Sequence, residues 1–190
     1  MSPQLELNLQ KQTGAFLSYE RFRERWLGRL YDRNYLNVYA WNSLWQKLEF
    51  TVGYETGDGI YYAESDSASF LGWVDYFSLE ATVRPSPRLT SAVVVHRSRF
   101  SRHHGRGEVF DAWTLGAKTT WQFTRRLYAR LYPQVDTDAR HLDADGLVGY
   151  VVHPGTVFYA GMNNGIDRVA GHSRAVSRTV FFKVSYRLQR

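Results

Sequence analysis

Apolar and polar residues alternate along several segments of this chain. The pattern is longest at the carboxyl end, where Val180, Phe182, Val184, Tyr186 and Leu188 alternate with polar residues apart from Phe181. The same alternation recurs in 44–54, 77–84, 113–122 and 127–132. Because successive side chains of a strand point to opposite faces, these segments predict β-strands with one apolar face and one polar face.

The amino-terminal part is less regular. Leu5, Leu7 and Leu9 predict a strand, and 35–41 predicts another that ends in a turn at Asn42–Ser43. Between them, 15–31 has apolar residues at helical spacing and is compatible with a helix or with a strand and a loop. We therefore expect one domain over 1–190, with 1–43 partly loop or helix, and about eight to eleven strands in total.

Short and long connections alternate between the predicted strands. Tight turns are expected at 84–87, 124–126 and 153–155, where Pro, Gly and Thr occur. Long polar loops are expected at 55–69, 97–108, 136–145 and 163–178. Short turns on one side and long loops on the other are typical of transmembrane barrels. The pattern predicts an all-β, antiparallel up-and-down transmembrane β-barrel, or the C-terminal portion of one.

Composition agrees with this prediction. Aromatic residues make up 16% of the 190 residues, yet the mean hydropathy is −0.42. A barrel reconciles the two values because only every second strand residue meets lipid. The net charge of +6 comes from scattered residues without a basic run, so we expect no nucleic-acid partner. Cysteine is absent, which excludes thiolate chemistry.

The alternation assigns the charged strand residues and the large aromatic residues to opposite faces. Trp113 and Trp121 are eight residues apart, which is about 26 Å along a strand and about 20 Å across a membrane at a tilt of about 40°. The lumen-facing residues would either fill a narrow barrel as ion pairs or line a pore. The predicted lumen-facing set is Lys47, Glu49, Glu80, Arg84, Lys118, Arg130, Lys183 and Arg187. The predicted lipid-facing girdle is Trp113, Trp121, Phe182 and Tyr186.

No motif predicts catalysis. His103–His104 are adjacent, whereas zinc ligands are normally separated by two to five residues. The acidic loop around Asp136 and Asp145 lacks EF-hand spacing, and calcium binding there stays an open alternative. No Gly-x-Ser-x-Gly elbow is present. We therefore predict no catalytic residue, cofactor or resident metal.

The stretch from Glu108 to Arg190 carries a family resemblance. The segments EVFDAWTLGAKTTWQFTRRLYARLYPQVDTD, VVHPGTVFYAGMNNG and SRTVFFKVSYRLQR resemble the C-terminal barrel of a family of uncharacterised bacterial outer-membrane proteins. Longer members of that family begin with a domain similar to a family-nine carbohydrate-binding module. Residues 1–190 contain no segment similar to that domain, so carbohydrate binding by that module is not carried over, and the resemblance implies a membrane barrel.

The expected location is the outer membrane of a Gram-negative bacterium. The expected partners are the lipid bilayer and the barrel-assembly machinery, and the expected role is pore, transport or scaffold. Residues 1–10 have no signal-peptide pattern, so we expect a C-terminal fragment of a larger barrel whose N-terminal strands are missing. Two alternatives stay open, a soluble lipocalin-like barrel that binds a lipophilic ligand and an outer-membrane hydrolase.

Overall fold

The structure is a computed structural model that describes residues 3–9, 12–62, 69–104, 106–169 and 172–186. These residues form eleven strands and no helix. The strands are β1 (Gln4–Leu9), β2 (Thr13–Trp26), β3 (Arg29–Trp45), β4 (Leu48–Tyr61), β5 (Phe70–Ser86), β6 (Leu89–His103), β7 (Arg106–Gln122), β8 (Leu127–Asp136), β9 (His141–His153), β10 (Thr156–Val169) and β11 (His172–Tyr186). None of the described residues belongs to a helix with the length and apolarity needed to cross a membrane.

All eleven strands belong to one antiparallel up-and-down sheet. Each strand is hydrogen-bonded to its neighbours in the chain, in the order β1 to β11. This confirms the predicted fold class of antiparallel up-and-down all-β. The described residues contain no pairing between β1 and β11, so the sheet is open.

The long loops predicted at 97–108 and 163–178 are wrong. Strand β6 continues to His103 and β7 starts at Arg106, and β10 and β11 likewise extend through most of 163–178. The loop predicted at 136–145 is reduced to 137–140, and in the loop predicted at 55–69 strand β4 continues to Tyr61, while 63–68 lie outside the described residues. Cross-strand ion pairs explain why such polar segments stay in the ladder, since opposite charges on facing strands attract. Arg99 pairs with Glu108 inside the segment 97–108, and Arg97 of that segment pairs with Asp111 further along β7.

The amino-terminal part decides one open alternative and corrects one turn. In 15–31 the alternative of strand and loop is confirmed and no helix forms: β2 and β3 are a hairpin in which Trp26 faces Arg29 across the turn Leu27–Gly28. Both turn residues have positive φ, as in the two-residue turns that match strand twist. The turn predicted at Asn42–Ser43 lies at 46–47 instead, and a register shift between Asn42 and Trp45 marks the predicted position. The strands predicted at 5–9 and 35–41 are confirmed within β1 and β3.

The sheet comprises two compact units. Unit 1 contains residues 1–80 and 95–113, and unit 2 contains residues 81–94 and 114–190. The buried apolar side chains of the described residues are Tyr31, Ile60 and Phe100, all of them in unit 1. Large apolar side chains are instead widely exposed, including Leu131, Val148 and Phe182 in unit 2. The described sheet therefore leaves much of its apolar surface uncovered.

Candidate membrane-facing surface and polar face

In unit 2, strand register brings the apolar residues of successive strands into continuous rows. Leu131 faces Gly146, which faces Met162, which faces Val180. The next row contains Ala129, Val148, Ala160 and Phe182. We call this side of unit 2 its apolar face. It consists of Leu115, Ala117, Thr119, Trp121, Leu127, Ala129, Leu131, Pro133, Val135, Leu142, Ala144, Gly146, Val148, Tyr150, Phe158, Ala160, Met162, Val180, Phe182, Val184 and Tyr186.

The residues named above include no charged residue, and their extent along β8 and β9 is that of a membrane-spanning strand. On β10 and β11 the face ends at Met162 and Val180, because the next facing pair on this side is Asn164 and Arg178. In β8 it runs from Leu127 to Val135, and in β9 from Leu142 to Tyr150. Eight steps of about 3.3 Å give about 26 Å along the strand. A transmembrane strand needs about 9–11 residues at a tilt of about 45°, so the length matches. Exposed fractions of 53% for Leu131, 47% for Val148 and 82% for Phe182 show that no other part of unit 2 covers this face.

Aromatic side chains collect at the end of this face where β9 turns into β10. Trp121 stacks on Phe123 with ring centroids 5.2 Å apart. Tyr150 faces Phe158 across the β9–β10 ladder, and Tyr186 faces Thr156 at the end of β11. Two of the four predicted girdle residues lie near this end. Tyr186 lies two residues beyond Val184, which faces Phe158, and Trp121 faces Ala129 near the end of β7. Tyr150 and Phe158 were not among the predicted girdle residues, although the alternation in β9 and β10 is sufficient to find them.

The other two predicted girdle residues are Phe182 and Trp113. Phe182 is on the apolar face in the register row of Val148 and Trp121, four residues before Tyr186 on β11. Trp113 is in unit 1, on the same side of β7 as Trp121 by alternation. The Arg97 guanidinium lies 5.1 Å from the Trp113 ring and binds both carboxylate oxygens of Asp111. Trp113 therefore borders a charged cluster, as an interfacial aromatic residue does.

The opposite side of unit 2 is polar. Lys118, Arg130 and Lys183, all predicted as lumen-facing, occupy this face of β7, β8 and β11. Lys118 and Arg130 line one cavity of about 520 Å³ together with Tyr132, Asp145 and Asn163. The Arg130 Nε atom is buried and has no hydrogen-bond partner in the described part of the chain. The same face carries Asp136, Asp143, Asp145 and Asp167, but the described residues contain no ion pair that joins any of them to Lys118 or Arg130.

Phe181, the one exception to the alternation in β11, has a packing role on this polar face. Its ring lies against the backbone of Gly161, and a Cβ atom at position 161 would collide with it. Tyr128 covers Gly149 in the same way. Aromatic rings that pack over glycines of the neighbouring strand help to fix the strand register, as in aromatic rescue of sheet glycines.

The polar face of unit 1 is a hydrogen-bonded network. Tyr35 donates a hydrogen bond to Glu55 Oε2 at 3.1 Å, and Tyr39 donates one to Glu55 Oε1. Asn37 donates to Ser18 Oγ at 3.0 Å. The Tyr39 ring reaches across the backbone of Gly53, where a Cβ atom would lie 2.6 Å from the ring. Side chains of three strands are thereby fixed to one another.

Two predicted lumen-facing residues share this face of unit 1. Glu49 lies on β4 on the side of Gly53, and Glu80 lies on β5 on the side of Ser78. A Cβ atom at Gly53 would lie 2.6 Å from Ser78 Oγ, so the two strands present these positions together. Arg84 occupies the same side of β5 as Glu80, but in the part of β5 that belongs to unit 2.

The remaining two predicted residues do not lie on a described strand face. Lys47 is in the turn between β3 and β4 and is exposed, because the ladder from Trp45 to Leu48 closes as a two-residue hairpin. Its placement on a strand was wrong. Arg187 lies outside the described residues.

The hairpin tip of β2 and β3, residues 21–34, carries ion pairs on both faces next to the apolar residues Phe22, Leu27 and Leu30. Arg23 Nε contacts Asp32 Oδ1 at 2.7 Å, and this hydrogen bond lowers the pKa of the Asp32 carboxyl below its ordinary value. On the other face, hydrogen bonds first from Tyr62 and then from Arg33 lower the pKa of Glu24. The pair of Arg23 and Asp32 is exposed, whereas the pair of Arg33 and Glu24 is partly buried.

The described residues do not assemble a catalytic triad or a metal centre. Ser101 donates its hydroxyl hydrogen bond to the backbone carbonyl of His103, at 2.8 Å, and not to an imidazole. His141 contacts Asp167 through Nδ1 and Asp143 through Nε2, so neither ring nitrogen is available to a serine. No group of three His, Asp or Glu residues able to hold a metal occurs in the described ranges. Asp136 of the acidic loop instead accepts hydrogen bonds from the backbone amides of Asp138 and Ala139.

Comparison of the chain with models of protein families and with curated proteins found no match.

Proposed function

We propose that this protein is an outer-membrane β-barrel protein, or the C-terminal part of one, with a pore, transport or scaffold role. The observation that carries the proposal is the charge-free, exposed apolar face of unit 2. Exposing this apolar surface to water costs about 25 cal/mol for each Å² of apolar area. A hydrocarbon bilayer removes that cost.

The backbone supports the same proposal. Strands cross a membrane only when their N–H and C=O groups are paired within a sheet. Every strand from β2 to β10 has a hydrogen-bonded neighbour on both sides for at least part of its length. The two edges of the described sheet are β11 and, at the other end, β1 together with the part of β2 beyond Ser18, which β1 does not reach. In the proposed assembly these two edges close against each other or against further strands. The resemblance of 108–190 to outer-membrane barrels is part of this proposal.

The exposed apolar face favours this proposal over the lipocalin-like alternative. A lipocalin places its apolar residues inside and its charges outside, so Val148 and Phe182 would be covered. The hydrolase alternative needs a Ser–His pair at a strand end, and the described serines and histidines give no support for one. The pore, transport or scaffold role follows from the polar face, which needs contact with water.

A pair of lysine substitutions on neighbouring residues tests the proposal. Val180→Lys places a charge in the middle of the apolar face, next to Met162, whereas Thr179→Lys places the same charge on the polar face of the same strand. In a bilayer, a lysine near the midplane costs about 2–4 kcal/mol. The measurement is urea unfolding of protein refolded into liposomes, together with heat-modifiable migration on a gel.

We expect Val180→Lys to lower the free energy of unfolding by about 2–4 kcal/mol and Thr179→Lys to leave it nearly unchanged. The wild-type chain should stay folded only with detergent or lipid. A monodisperse, folded chain in buffer without detergent, with equal stability of the two variants, would overturn the proposal.

A further inference from the structure

We infer that the cavity on the polar face of unit 2 binds a small solute that carries phosphate, sulfonate or carboxylate groups. The inference rests on the proposed function in one respect, namely that this face borders water and not lipid. Lys118 of β7 and Arg130 of β8 supply positive charge, and Tyr132 and Asn163 supply neutral hydrogen-bonding groups. We call this set of residues the cationic cavity.

Strand register places the two cations close together. Thr119 faces Leu131 and Gly116 faces Gln134, so the same register places Lys118 opposite Tyr132. Arg130 lies two residues before Tyr132 on the same face of β8. Lys118 and Arg130 are therefore diagonal neighbours, about 7–8 Å apart at the backbone, which long side chains can bridge.

The charges of the cationic cavity are not neutralised by the protein. Arg130 Nε is buried without a partner, and neither Lys118 nor Arg130 forms an ion pair in the part of the chain that the structure describes. Asp145 lines the same cavity but forms no ion pair with either cation. A buried charged donor without a partner is destabilising. An oxyanion would supply the acceptors that the protein omits.

The residue types and the size of the cavity define the ligand class. A guanidinium binds the planar edge of a carboxylate or phosphate with two parallel hydrogen bonds, and lysine adds a point charge. A volume of about 520 Å³ lies in the range of small-molecule sites. In a pore, rings of Lys and Arg favour anions. The solute is therefore a small organic or inorganic anion.

The test uses the full chain refolded in detergent micelles and 8-hydroxypyrene-1,3,6-trisulfonate as the probe anion. Fluorescence anisotropy of the dye reports binding, and inorganic phosphate is the competitor. The double variant K118Q/R130Q removes both cations. The matched control R125Q/R126Q removes two arginines from the turn between β7 and β8, where the structure gives only backbone hydrogen bonds to Arg126. Both variants have the same net charge, so their comparison isolates position from charge.

We expect K118Q/R130Q to weaken dye binding by at least about tenfold, because each lost charged hydrogen bond is worth about tenfold or more. The R125Q/R126Q control should bind like the wild type. Asp145→Asn should strengthen binding severalfold, because it removes the one carboxylate of the cavity. This gain distinguishes a lost site from a misfolded variant, since misfolding does not raise affinity.

The outcomes separate this inference from the proposed function. Equal dye binding by wild type and K118Q/R130Q, both heat-modifiable in detergent, overturns the cationic cavity and leaves the membrane proposal intact. Saturable binding that depends on Lys118 and Arg130 in a chain that folds without detergent supports the cavity and contradicts the membrane proposal. An equal loss of binding in K118Q/R130Q and R125Q/R126Q would also overturn the site, because attraction would then follow net charge alone.

Discussion

The polar faces of the two units use the same kinds of residue in different ways. In unit 1, Glu55 accepts hydrogen bonds from two tyrosines, and Arg33 contacts Glu24. In unit 2, Lys118 and Arg130 face a cavity without a carboxylate partner in the described chain. From the sequence, two interpretations of the polar residues stay open, an interior ion-pair network and a pore lining. The bonded side chains of unit 1 form a network, whereas the cavity of unit 2 is the basis of the anion-binding proposal.

The difference shows that alternation identifies which residues share a face of the sheet, but not whether that face forms internal contacts or binds a solute. The side chains of a polar face can form hydrogen bonds with one another, as the Tyr35 and Tyr39 hydroxyls do with the Glu55 carboxylate. It can also leave charges for a solute, as around Lys118. Stability should therefore depend on the polar residues of unit 1, whereas binding should depend on those of unit 2. Substitutions on the two faces can separate these roles.

The largest expected effect on stability is at Glu55. Glu55→Ala leaves the hydroxyl groups of Tyr35 and Tyr39 without their acceptor. Because hydrogen bonds to a charged group contribute about 1.5–3 kcal/mol each, we expect the free energy of unfolding to fall by about 3 kcal/mol. The measurement is urea unfolding in detergent micelles, followed by tryptophan fluorescence.

The matched variant in unit 2 is Lys118→Ala, which removes a charge that has no ion-pair partner in the described residues. It should change the free energy of unfolding by less than about 0.5 kcal/mol. If Lys118→Ala destabilises the protein as much as Glu55→Ala does, then both faces are structural networks and the comparison fails.

A smaller effect is expected from two glycines that differ in their surroundings. Gly53→Ala in unit 1 brings a methyl group within 2.6 Å of the Tyr39 ring and of Ser78 Oγ, which displaces Tyr39 from Glu55. Overpacking of this kind costs about 1–3 kcal/mol. Gly146→Ala in unit 2 meets open space on the apolar face. It should be neutral or stabilise the protein by up to about 1 kcal/mol, and a loss equal to that of Gly53→Ala would contradict the structure.

A strand was predictable from the sequence where one of its faces is apolar and the other is polar. Segments such as 113–122 and 179–186 alternate cleanly, and their faces follow from period two alone. The strand ends were not predictable because polar residues such as Arg97 and Asp111 carry no periodic signal, although they pair across the ladder. The hairpin at Leu27–Gly28 was missed because Phe22, Trp26 and Leu30 coincide with helical spacing.

The candidate site was predictable by face but not by partner. Alternation placed Lys118, Arg130 and Lys183 on one side of the sheet, and the register agrees. Which of them share a cavity depends on the register between paired strands, here β7 and β8, and no single strand encodes that register. The pairing of Glu55 with tyrosines was likewise invisible, because Tyr35 and Tyr39 read as ordinary aromatic strand residues.

The smallest expected effect concerns the hairpin tip of unit 1. Its ion pair of Arg23 and Asp32 is fully exposed to solvent, and such pairs contribute little to stability. Arg23→Gln should therefore leave the midpoint of urea unfolding unchanged.

The same substitution should raise the pKa of the Asp32 carboxyl toward its ordinary value, because the hydrogen bond from Arg23 is the main cause of the lowered pKa. Because the pKa of Asp32 is lowered in the folded state, the ion pair is fully formed at pH values above the ordinary pKa of a carboxyl group. It is lost as the pH falls through the lowered pKa of the folded state. Carboxyl carbon chemical shifts of Asp32, followed by NMR in micelles, measure this directly. An unchanged pKa of Asp32 in Arg23→Gln would show that the tip is not ion-paired in solution.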